Sequence, residues 1–473
     1  MHRKDFIRLS GAVTAGLATS RSGFARFASY SSFPEVRVPV AERKFISQSV
    51  EQAILSVQKK IGDRELAWLF NNCFPNTLDT TVEFTTVNGR PDTYVITGDI
   101  DAMWLRDSTA QVWPYLTLSK NDKPLQQLIA GVINRQVQNI LLDPYANAFY
   151  KDKTKEGEWK KDHTDMKPGL HERKWEIDSL CYPIRLAHGY WKTTGDTSIF
   201  DAQWKEAAHS ILKTFKEQQR KKDKGPYKFE RTTSWATDGV PLGGYGYPVK
   251  PVGLICSMFR PSDDATIFPF LIPSNYFAVA SLQQMAIIAN SVYKDAALAN
   301  ESTQLANEVS QALRQYAAID HKTLGRILAY EVNGFGSYNL MDDANVPSLL
   351  SLPYLNAMKN DDPLYLNTRK LILSDQNPFF FKGKAGEGVG GPHAGTDMIW
   401  PLSIVMRGLT SKSDTEIRHC IAMLKATHGG TGFMHESFHK DDAKNFTRKW
   451  FAWANTIFGE LIWESYQKGN LTI

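Results

Sequence analysis

The sequence has few cysteines, no long block of like charges and no apolar run long enough to cross a bilayer. Its four cysteines lie far apart among 473 residues and form no C-x-x-C pair, which excludes a zinc site of paired cysteines and a dense disulfide framework. We interpret Cys73, Cys181, Cys256 and Cys420 as small buried apolar residues. The net charge is only +5 and the basic residues are dispersed, which argues against a nucleic-acid-binding surface.

The first 25 residues differ from the rest of the chain. Basic residues give a cationic start, the small and apolar residues 9–18 follow, and residues 23–25 offer a small-x-small cleavage site. The pattern predicts an export signal similar to a twin-arginine signal, and its apolar run is too short to span a bilayer. An N-terminus that is not cleaved is the alternative. We therefore expect a protein exported to the periplasm or secreted, with residues 26–44 as an N-terminal extension and 45–473 as one domain.

From about residue 40 the sequence predicts helices joined by long loops rich in glycine and proline. Apolar residues recur at three- and four-residue spacings in segments 48–74, 125–142, 202–215, 276–292, 305–316, 415–424 and 450–466. Residues 80–87 and 94–96 predict one hairpin with an Asn88-Gly89 turn. A tight helix pair is predicted at residues 189–196, with the second helix starting at Asp196 or Thr197. Stacked pairs of this kind form an α/α toroid, whose loops at one end carry the chemistry.

Four loop segments combine glycine, proline, tryptophan, arginine and acidic residues in various mixtures just before apolar helical runs. They are residues 97–108, 259–273, 388–401 and 428–439. In the first segment Asp99, Asp101, Arg106 and Asp107 accompany Trp104, and these charges are costly to bury unless they are paired or bind a polar ligand. One interpretation is an arginine–aspartate salt bridge with a helix cap. The other is recognition of sugar hydroxyl groups, which donate to carboxylates and accept from arginine.

The second segment is a candidate for acid catalysis and the third for close backbone contact with a ligand. Asp263 and Asp264 lie beside apolar rings, where desolvation and a second negative charge keep a carboxyl group protonated, as a general acid requires. A helix N-cap at Ser262 or Asp263 is the alternative. Around His393, the many glycines indicate backbone held against a ligand, a mobile lid or a tight turn, without the spacing of a phosphate-binding loop.

The fourth segment places Glu436 in a glycine-led loop and contains a literal H-E-x-x-H from His435 to His439. In a zinc peptidase both histidines lie on one face of a helix. Three glycines closely precede His435, and the Lys-Asp-Asp sequence after His439 fits a turn better than a continuing helix. The downstream carboxylate available as a third ligand, Glu460, lies inside an apolar helical pattern. Zinc is therefore the weaker interpretation.

Residues 98–108, 259–265 and 434–438, in this order in one chain, make the sequence resemble glycoside hydrolase family 125, the exo-α-1,6-mannosidases. The resemblance runs from about residue 45 to the end of the chain. It implies a catalytic domain built as an all-α (α/α)6 barrel with a few short β-strands in its loops. It also implies inverting hydrolysis of terminal α-1,6-linked mannose without a metal or other cofactor. We expect a mannose-containing glycan as the partner, a role in N-glycan degradation, and a monomer.

The resemblance also assigns the site residues. The general acid of the family is an Asp in the segment matching residues 259–265, where we favour Asp263 over Asp264, and the general base is the Glu that matches Glu436. The two carboxyl groups of an inverting hydrolase stand about 6.5–9.5 Å apart, which leaves room for the attacking water. The residues expected to contact the sugar are Asp99, Asp101, Trp104, Arg106, Asp107, Asp264, His393 and His435.

Other functions stay open at this point, because a fold does not fix its chemistry. The first alternative is another α-glycosidase or a lyase-type activity on the same barrel. The second is a glycan-binding protein without catalysis, which would not require two carboxylates at hydrolytic geometry. The third is the zinc peptidase that uses His435, Glu436 and His439.

Overall fold

The structure is a computed structural model that describes residues 33–469 and residue 471. The predicted export signal, residues 1–25, lies outside the described residues. From Glu35 the described residues form one compact unit, which includes residues 35–44 of the predicted extension. Within the described range, no helix has both the length and the apolar character needed to cross a membrane.

Helices are the main regular structure of the described residues, as the sequence predicts. Their α-helices are α1 (Gln48–Lys60), α2 (Arg64–Cys73), α3 (Asn76–Thr80), α4 (Leu105–Val112), α5 (Leu116–Ser119), α6 (Lys123–Leu142), α7 (Ile177–Thr194), α8 (Ala202–Gln218), α9 (Ile272–Ile288), α10 (Ala296–Tyr316), α11 (Pro363–Ile372), α12 (Pro401–Leu409), α13 (Asp414–Ala426) and α14 (Ala452–Gln467). Short 3₁₀ turns lie at Val40–Glu42 and Trp113–Tyr115, and a π-helical turn at Ala289–Tyr293 follows α9. The four cysteines are buried and unpaired, as predicted.

Short antiparallel strands occupy the loops in sheets of two or three. They are β1 (Val82–Val87), β2 (Arg90–Val95), β3 (Met103–Trp104), β4 (Ala148–Phe149), β5 (Leu170–Glu172), β6 (Phe270–Leu271), β7 (Ala318–His321), β8 (Gly325–Leu328), β9 (Glu331–Val332), β10 (Tyr338–Asn339), β11 (Phe380–Lys382), β12 (Glu387–Val389), β13 (Met398–Ile399), β14 (Ser437–His439) and β15 (Asp442–Thr447). The predicted hairpin is confirmed as β1 and β2, with positive φ at Asn88 and Gly89 in its turn.

Capping side chains explain two boundaries that the sequence prediction misplaced. The predicted helix 48–74 is two helices, because Asp63 accepts a hydrogen bond from the backbone N–H of Leu66 and starts α2. Gly195 ends α7 in the left-handed conformation, as predicted. The predicted start of the next helix at Asp196 or Thr197 is wrong. Asp196 instead accepts hydrogen bonds from Tyr190 Oη and from the N–H of Ser198, and α8 begins after Asp201, which caps it.

Five helices pack against one another through a large apolar core. Helix α4 contacts α7, α7 contacts α9, α12 contacts α14, and α14 contacts α4. Large buried rings fill the spaces between them, such as Tyr182 of α7 and Phe277 of α9, whose ring centroids are 5.0 Å apart. Short strands precede all five helices in the chain: β3 leads to α4, β5 to α7, β6 to α9, β13 to α12 and β15 to α14. The connecting loops therefore collect polar side chains near the N-terminal ends of these helices.

Arg37→Ala is expected to lower the free energy of unfolding by about 3 kcal/mol, because it removes the main partner of a buried carboxylate. Arg37 Nε lies 2.7 Å from Asp79 Oδ2, and the two side chains are 7% and 3% exposed. Arg43 is the next cation, at 3.6 Å from the same carboxyl group. Urea unfolding measures the effect, with the exposed Arg64→Ala as the control. Equally small losses in both variants would contradict this role for Arg37.

Candidate active site

A cavity of about 460 Å³ brings together side chains from all four of the loop segments singled out in the sequence. Seven of the ten predicted site residues line it: Trp104, Arg106, Asp107, Asp263, Asp264, His393 and Glu436. The other lining residues are Thr97, Ile100, Glu158, Trp159, His171, Glu172, Lys174, Arg231, Trp235, Asp238, Pro261, Ser262, Asn345, Trp400, Arg448, Phe451 and Trp453. Two candidate catalytic carboxyl groups therefore share one cavity with aromatic rings and hydrogen-bonding groups.

The structure does not place the other three predicted residues, Asp99, Asp101 and His435, on the cavity wall. Asp99 accepts hydrogen bonds of 2.5 and 3.0 Å from Arg448, which does line the cavity. Asp101 has a side chain that is 76% exposed. His435 is buried and stacks on Phe446 with ring centroids 3.6 Å apart, and burial lowers its pKa to about 4. Contacts of these three residues with substrate stay predictions.

Asp263 is held by its backbone and presents its side chain to the cavity. Its φ of 69° lies in the left-handed region, which costs a non-glycine residue energy unless the surroundings fix it. Lys174 Nζ donates to the carbonyl oxygen of Asp263 over 2.9 Å, and Asn147 approaches Oδ1 at 3.5 Å. The side chain remains 26% exposed. The alternative of a helix cap at Ser262 or Asp263 is wrong, since α9 begins only at Ile272.

Asp264 differs from its neighbour because both of its carboxyl oxygens are occupied. Oδ1 accepts from Thr237 Oγ1 over 2.6 Å and Oδ2 accepts from Ser262 Oγ over 2.9 Å, and the side chain is 1% exposed. Ser262 Oγ also lies 2.9 Å from Asp343 Oδ2, yet its single hydrogen serves one acceptor. Burial, together with repulsion from Asp264, raises the pKa of Asp343. Asp264 is therefore bound into the wall, whereas Asp263 is accessible.

Glu436 reaches the cavity from the loop before β14 and is oriented by the far end of β15. Its Oε2 accepts from Thr447 Oγ1 over 2.9 Å, and Arg448 Nη1 lies 3.4 Å from Oε1. Arg448 is itself held by Asp99 and by Thr97 Oγ1, at 3.2 Å. The Glu436 side chain is 8% exposed. A hydroxyl group and a fixed guanidinium group therefore position this carboxyl group.

Arg106 stands buried among four carboxyl groups. Nη1 lies 2.6 Å from Glu176 and 3.0 Å from Asp178, Nε lies 3.6 Å from Asp107, and Nη2 lies 3.7 Å from Asp263. Burial raises the pKa of Glu176 well above its usual range and also raises that of Asp178. The predicted salt bridge within the first segment is present as the contact between Arg106 and Asp107, but the predicted helix cap is wrong, because Trp104 is the N-cap residue of α4 and no side chain caps that helix. Recognition of sugar hydroxyl groups by this segment stays a prediction. Arg106 makes its short contacts with Glu176 and Asp178. Its electrostatic attraction to Asp263, the most distant of the four carboxyl groups, is therefore the weakest.

Asp107→Asn is expected to change the dependence of stability on pH. Burial raises the pKa of Asp107 to about 6, and Arg106 only partly offsets this. The folded protein therefore binds the Asp107 proton more tightly than the unfolded chain does. This difference stabilises the folded protein fully at a pH below the unfolded pKa of Asp107, and the stabilisation is lost as the pH rises through about 6. Asparagine does not titrate, so the free energy of unfolding of the variant relative to wild type should rise by about 2–3 kcal/mol between about pH 4 and pH 7. Urea unfolding at both pH values measures this, and parallel pH profiles would contradict it.

A second charged wall beside Asp263 was missed by the sequence analysis. It consists of Glu172, Lys174, Arg231 and Asp238, with Trp159 packed on it, and it contains none of the motifs that drew attention. Two of its ion pairs, Lys174 with Asp238 and Arg231 with Glu172, join residues more than 50 positions apart, which no local pattern reveals. The run from His171 to Glu176 has a usable signal, because it mixes charges with tryptophan just before a helical run, as the four chosen segments do.

The H-E-x-x-H sequence does not form the helix that a zinc peptidase requires. Residues 437–439 are strand β14, in which His439 pairs with Met398 of β13. His439 Nδ1 accepts a hydrogen bond of 3.2 Å from the N–H of Asp441. Across the described part of the chain, no group of three or more His, Cys, Asp or Glu side chains is arranged to hold a metal ion. The zinc interpretation is therefore wrong in its geometry.

Comparison with known proteins shows which family the chain resembles along most of its length. The family model described as metal-independent alpha-mannosidase (GH125) matches residues 63–463. The meiotically up-regulated gene 157 protein of Schizosaccharomyces pombe is 42% identical over 448 residues, 91% of this chain and 88% of that protein. A solved metal-independent alpha mannosidase of Streptococcus pneumoniae, in a non-productive complex with alpha-1,6-mannobiose, is 40% identical. The match covers 90% of this chain and 99% of that one, with a TM-score of 0.86.

A more distant structure supports the fold alone. A bacterial glucoamylase complexed with acarbose is 14% identical, with a TM-score of 0.51, over 77% of this chain and 49% of that one. The family match covers most of the chain and includes every candidate residue of the cavity. The chain is therefore a glycoside hydrolase and belongs to the metal-independent alpha-mannosidases of glycoside hydrolase family 125.

Proposed function

We propose that this protein is an inverting exo-α-mannosidase that removes terminal α-1,6-linked mannose from the non-reducing end of a glycan. Asp263 acts as the general acid and Glu436 as the general base. The observation that carries the proposal is that these two carboxyl groups, from separate loops, line one cavity in different surroundings. The mannobiose bound to the Streptococcus pneumoniae relative supports the substrate class.

Each carboxyl group has the surroundings that its role needs. Asp263 protonates the oxygen that leaves with the second sugar, and its accessible side chain meets that oxygen inside the cavity. Glu436 takes a proton from the water that attacks the anomeric carbon. Thr447 and Arg448 hold the Glu436 carboxyl group in place and supply a positive charge beside it. The reaction needs only these two proton transfers, so the chain's own residues suffice.

The cavity also combines aromatic rings with polar groups that suit a terminal sugar. Trp104, Trp400 and Trp453 line it together with Arg106, Asp107 and Arg448. Aromatic faces with a few placed polar groups are typical of small-ligand sites. These features support recognition of a single sugar at a chain end.

We also propose that the helices close into an (α/α)6 toroid. The contacts from α12 through α14, α4 and α7 to α9 support five of its six inner positions. The irregular residues 342–357, which lie between α9 and α12 in the chain, are our assignment for the sixth position. They pack on the inner helix α7, where Tyr182 Oη donates to the carbonyl of Val346 over 2.9 Å and Arg185 donates to that of Tyr354 over 3.1 Å. The glucoamylase likeness supports the same arrangement.

Export and a monomeric state remain proposals that rest on the sequence. The cationic and apolar pattern of residues 1–25 motivates export. Cell fractionation and the mass of the mature N-terminus test it, and an intact protein in the cytoplasm would contradict it. Light scattering on the purified protein tests the oligomeric state.

Release of mannose from α-1,6-mannobiose by the wild-type protein tests the proposed activity. NMR of the first product should show β-mannose, because inversion reverses the anomeric configuration. The α-1,2- and α-1,3-linked mannobioses and the α-1,6-linked glucose disaccharide should be cleaved more slowly. Preferred cleavage of the glucose disaccharide would favour another α-glycosidase. Glycan binding without turnover would favour a binding protein.

Mannose release is expected to be unchanged by a chelator and by His439→Ala. The His439 ring bonds only its own turn within the described structure, so its loss removes no group from the cavity. Steady-state assays with and without EDTA measure both effects. Peptidase activity that disappears with EDTA and in His439→Ala would contradict the proposal and restore the zinc alternative.

A further inference from the structure

Trp159 lines the cavity, and Arg231 is stacked on one face of its ring. The guanidinium carbon of Arg231 lies 3.7 Å from the Trp159 ring centroid, which is a close cation–π contact. The tryptophan is partly exposed and lines the cavity. A ring with a charged group stacked on one side has only its other face available for a ligand.

Arg231 cannot readily move, because three carboxyl groups hold it. Its guanidinium nitrogens lie 2.6 Å from Asp162, 2.9 Å from Glu172 and 3.1 Å from Asp238, and the Arg231 side chain is 4% exposed. A planar guanidinium group held at several points is a rigid support. Trp159 is therefore a pre-oriented surface, and its ordering costs little when a ligand binds.

Direct contacts connect this surface to the proposed acid. Lys174 Nζ lies 2.6 Å from Asp238, which also pairs with Arg231, and it donates to the carbonyl oxygen of Asp263 over 2.9 Å. Glu436 belongs to a different group of contacts, formed with Thr447 and Arg448. Trp159 therefore lies on the wall of the acid and not on that of the base.

We propose that Trp159 is the stacking platform for the leaving sugar, the hexose on the reducing side of the scissile bond. The inference rests on the proposed role of Asp263, because the acid protonates the oxygen that joins the two sugars and the leaving unit lies on its side. The apolar face of a hexose ring packs on the face of an aromatic ring, and Trp159 supplies such a ring at the cavity wall. Binding energy at this unit orients the bond for protonation.

Two substrates that differ only in the leaving group test this. In Trp159→Ala, kcat/KM for α-1,6-mannobiose should fall about 10- to 30-fold, as truncation of a binding tryptophan does. Hydrolysis of α-mannosyl fluoride, which has no leaving sugar, should be unchanged. Trp159→Phe keeps an aromatic face and should recover most of the loss. Tyr338→Ala, an exposed ring outside the cavity lining, is the matched control and should behave as wild type.

The outcomes separate this inference from the proposed function. Equal losses on both substrates in Trp159→Ala and Trp159→Phe would overturn it, because the ring would then serve the terminal sugar or the fold. No loss on either substrate would also overturn it. Failure of the proposed function looks different, since the wild-type protein would then cleave neither mannobiose nor mannosyl fluoride.

Discussion

Glu436→Gln is expected to lower kcat for mannose release from α-1,6-mannobiose by a factor of about 10²–10⁴, the usual contribution of a general base. Glutamine keeps the size of the side chain and still accepts the hydrogen bond from Thr447. It cannot accept a proton from the attacking water. KM should change little, because binding of the terminal sugar does not depend on this proton transfer. Steady-state release of mannose measures both constants.

Two controls separate loss of the base from loss of the fold. Glu158→Gln removes an exposed carboxyl group from the same cavity and should keep its turnover. Azide, a small nucleophile that needs no base, should restore turnover of α-mannosyl fluoride in Glu436→Gln and give the inverted product. Retained mannose release in Glu436→Gln would mean that another group activates the water, and the assignment of Glu436 would be wrong.

Local signals predicted most of the helical structure. Helices α6, α8 and α13 appear close to their predicted positions, because each has an apolar stripe and starts at an acidic or serine cap. The prediction of residues 305–316 found only the second half of α10, which begins at Ala296. Helix α4 was not predicted as such, because all of its eight residues are buried, including Arg106 and Asp107. The polar side chains of α4 are buried because they bond to distant segments, as Arg106 does to Glu176 and Ser108 to Gln136, and the local sequence does not show those partners.

The sequence predicted those site residues that occur together with glycine, proline and other charged residues in a short segment. Asp263, Asp264 and Glu436 occur in segments whose mixture of glycine, proline and charge fits no regular element. Asp101 and His435 share those segments but lie away from the cavity wall, since a segment does not reveal which way each side chain points. Lys174 and Arg231 line the cavity but were not predicted, because they occur outside the four chosen segments. Their importance comes from tertiary ion pairs that no single segment contains.

Asp263→Asn is expected to lower kcat for α-1,6-mannobiose by a factor of about 10²–10⁴ and to spare α-mannosyl fluoride. A sugar leaving group needs a proton from the acid, whereas fluoride ion leaves without one. Asparagine is nearly the same size as aspartate and tolerates the left-handed backbone at φ 69° well, so the loop should keep its shape. Parallel assays measure the loss of kcat on each of the two substrates. A large loss on mannobiose with little loss on mannosyl fluoride identifies a general acid.

Asp264→Asn is the matched comparison, because it makes the same chemical change one residue further on. Both Asp264 oxygens accept hydrogen bonds from hydroxyl groups, and an amide nitrogen in place of one oxygen disrupts that part of the wall. Mannobiose and mannosyl fluoride should therefore lose activity by the same factor in Asp264→Asn. The opposite pattern, with fluoride spared by Asp264→Asn and both substrates lost in Asp263→Asn, would reverse the assignment. The accessible carboxyl group would then support the loop, and the buried one would deliver its proton after a rearrangement of Ser262 and Thr237.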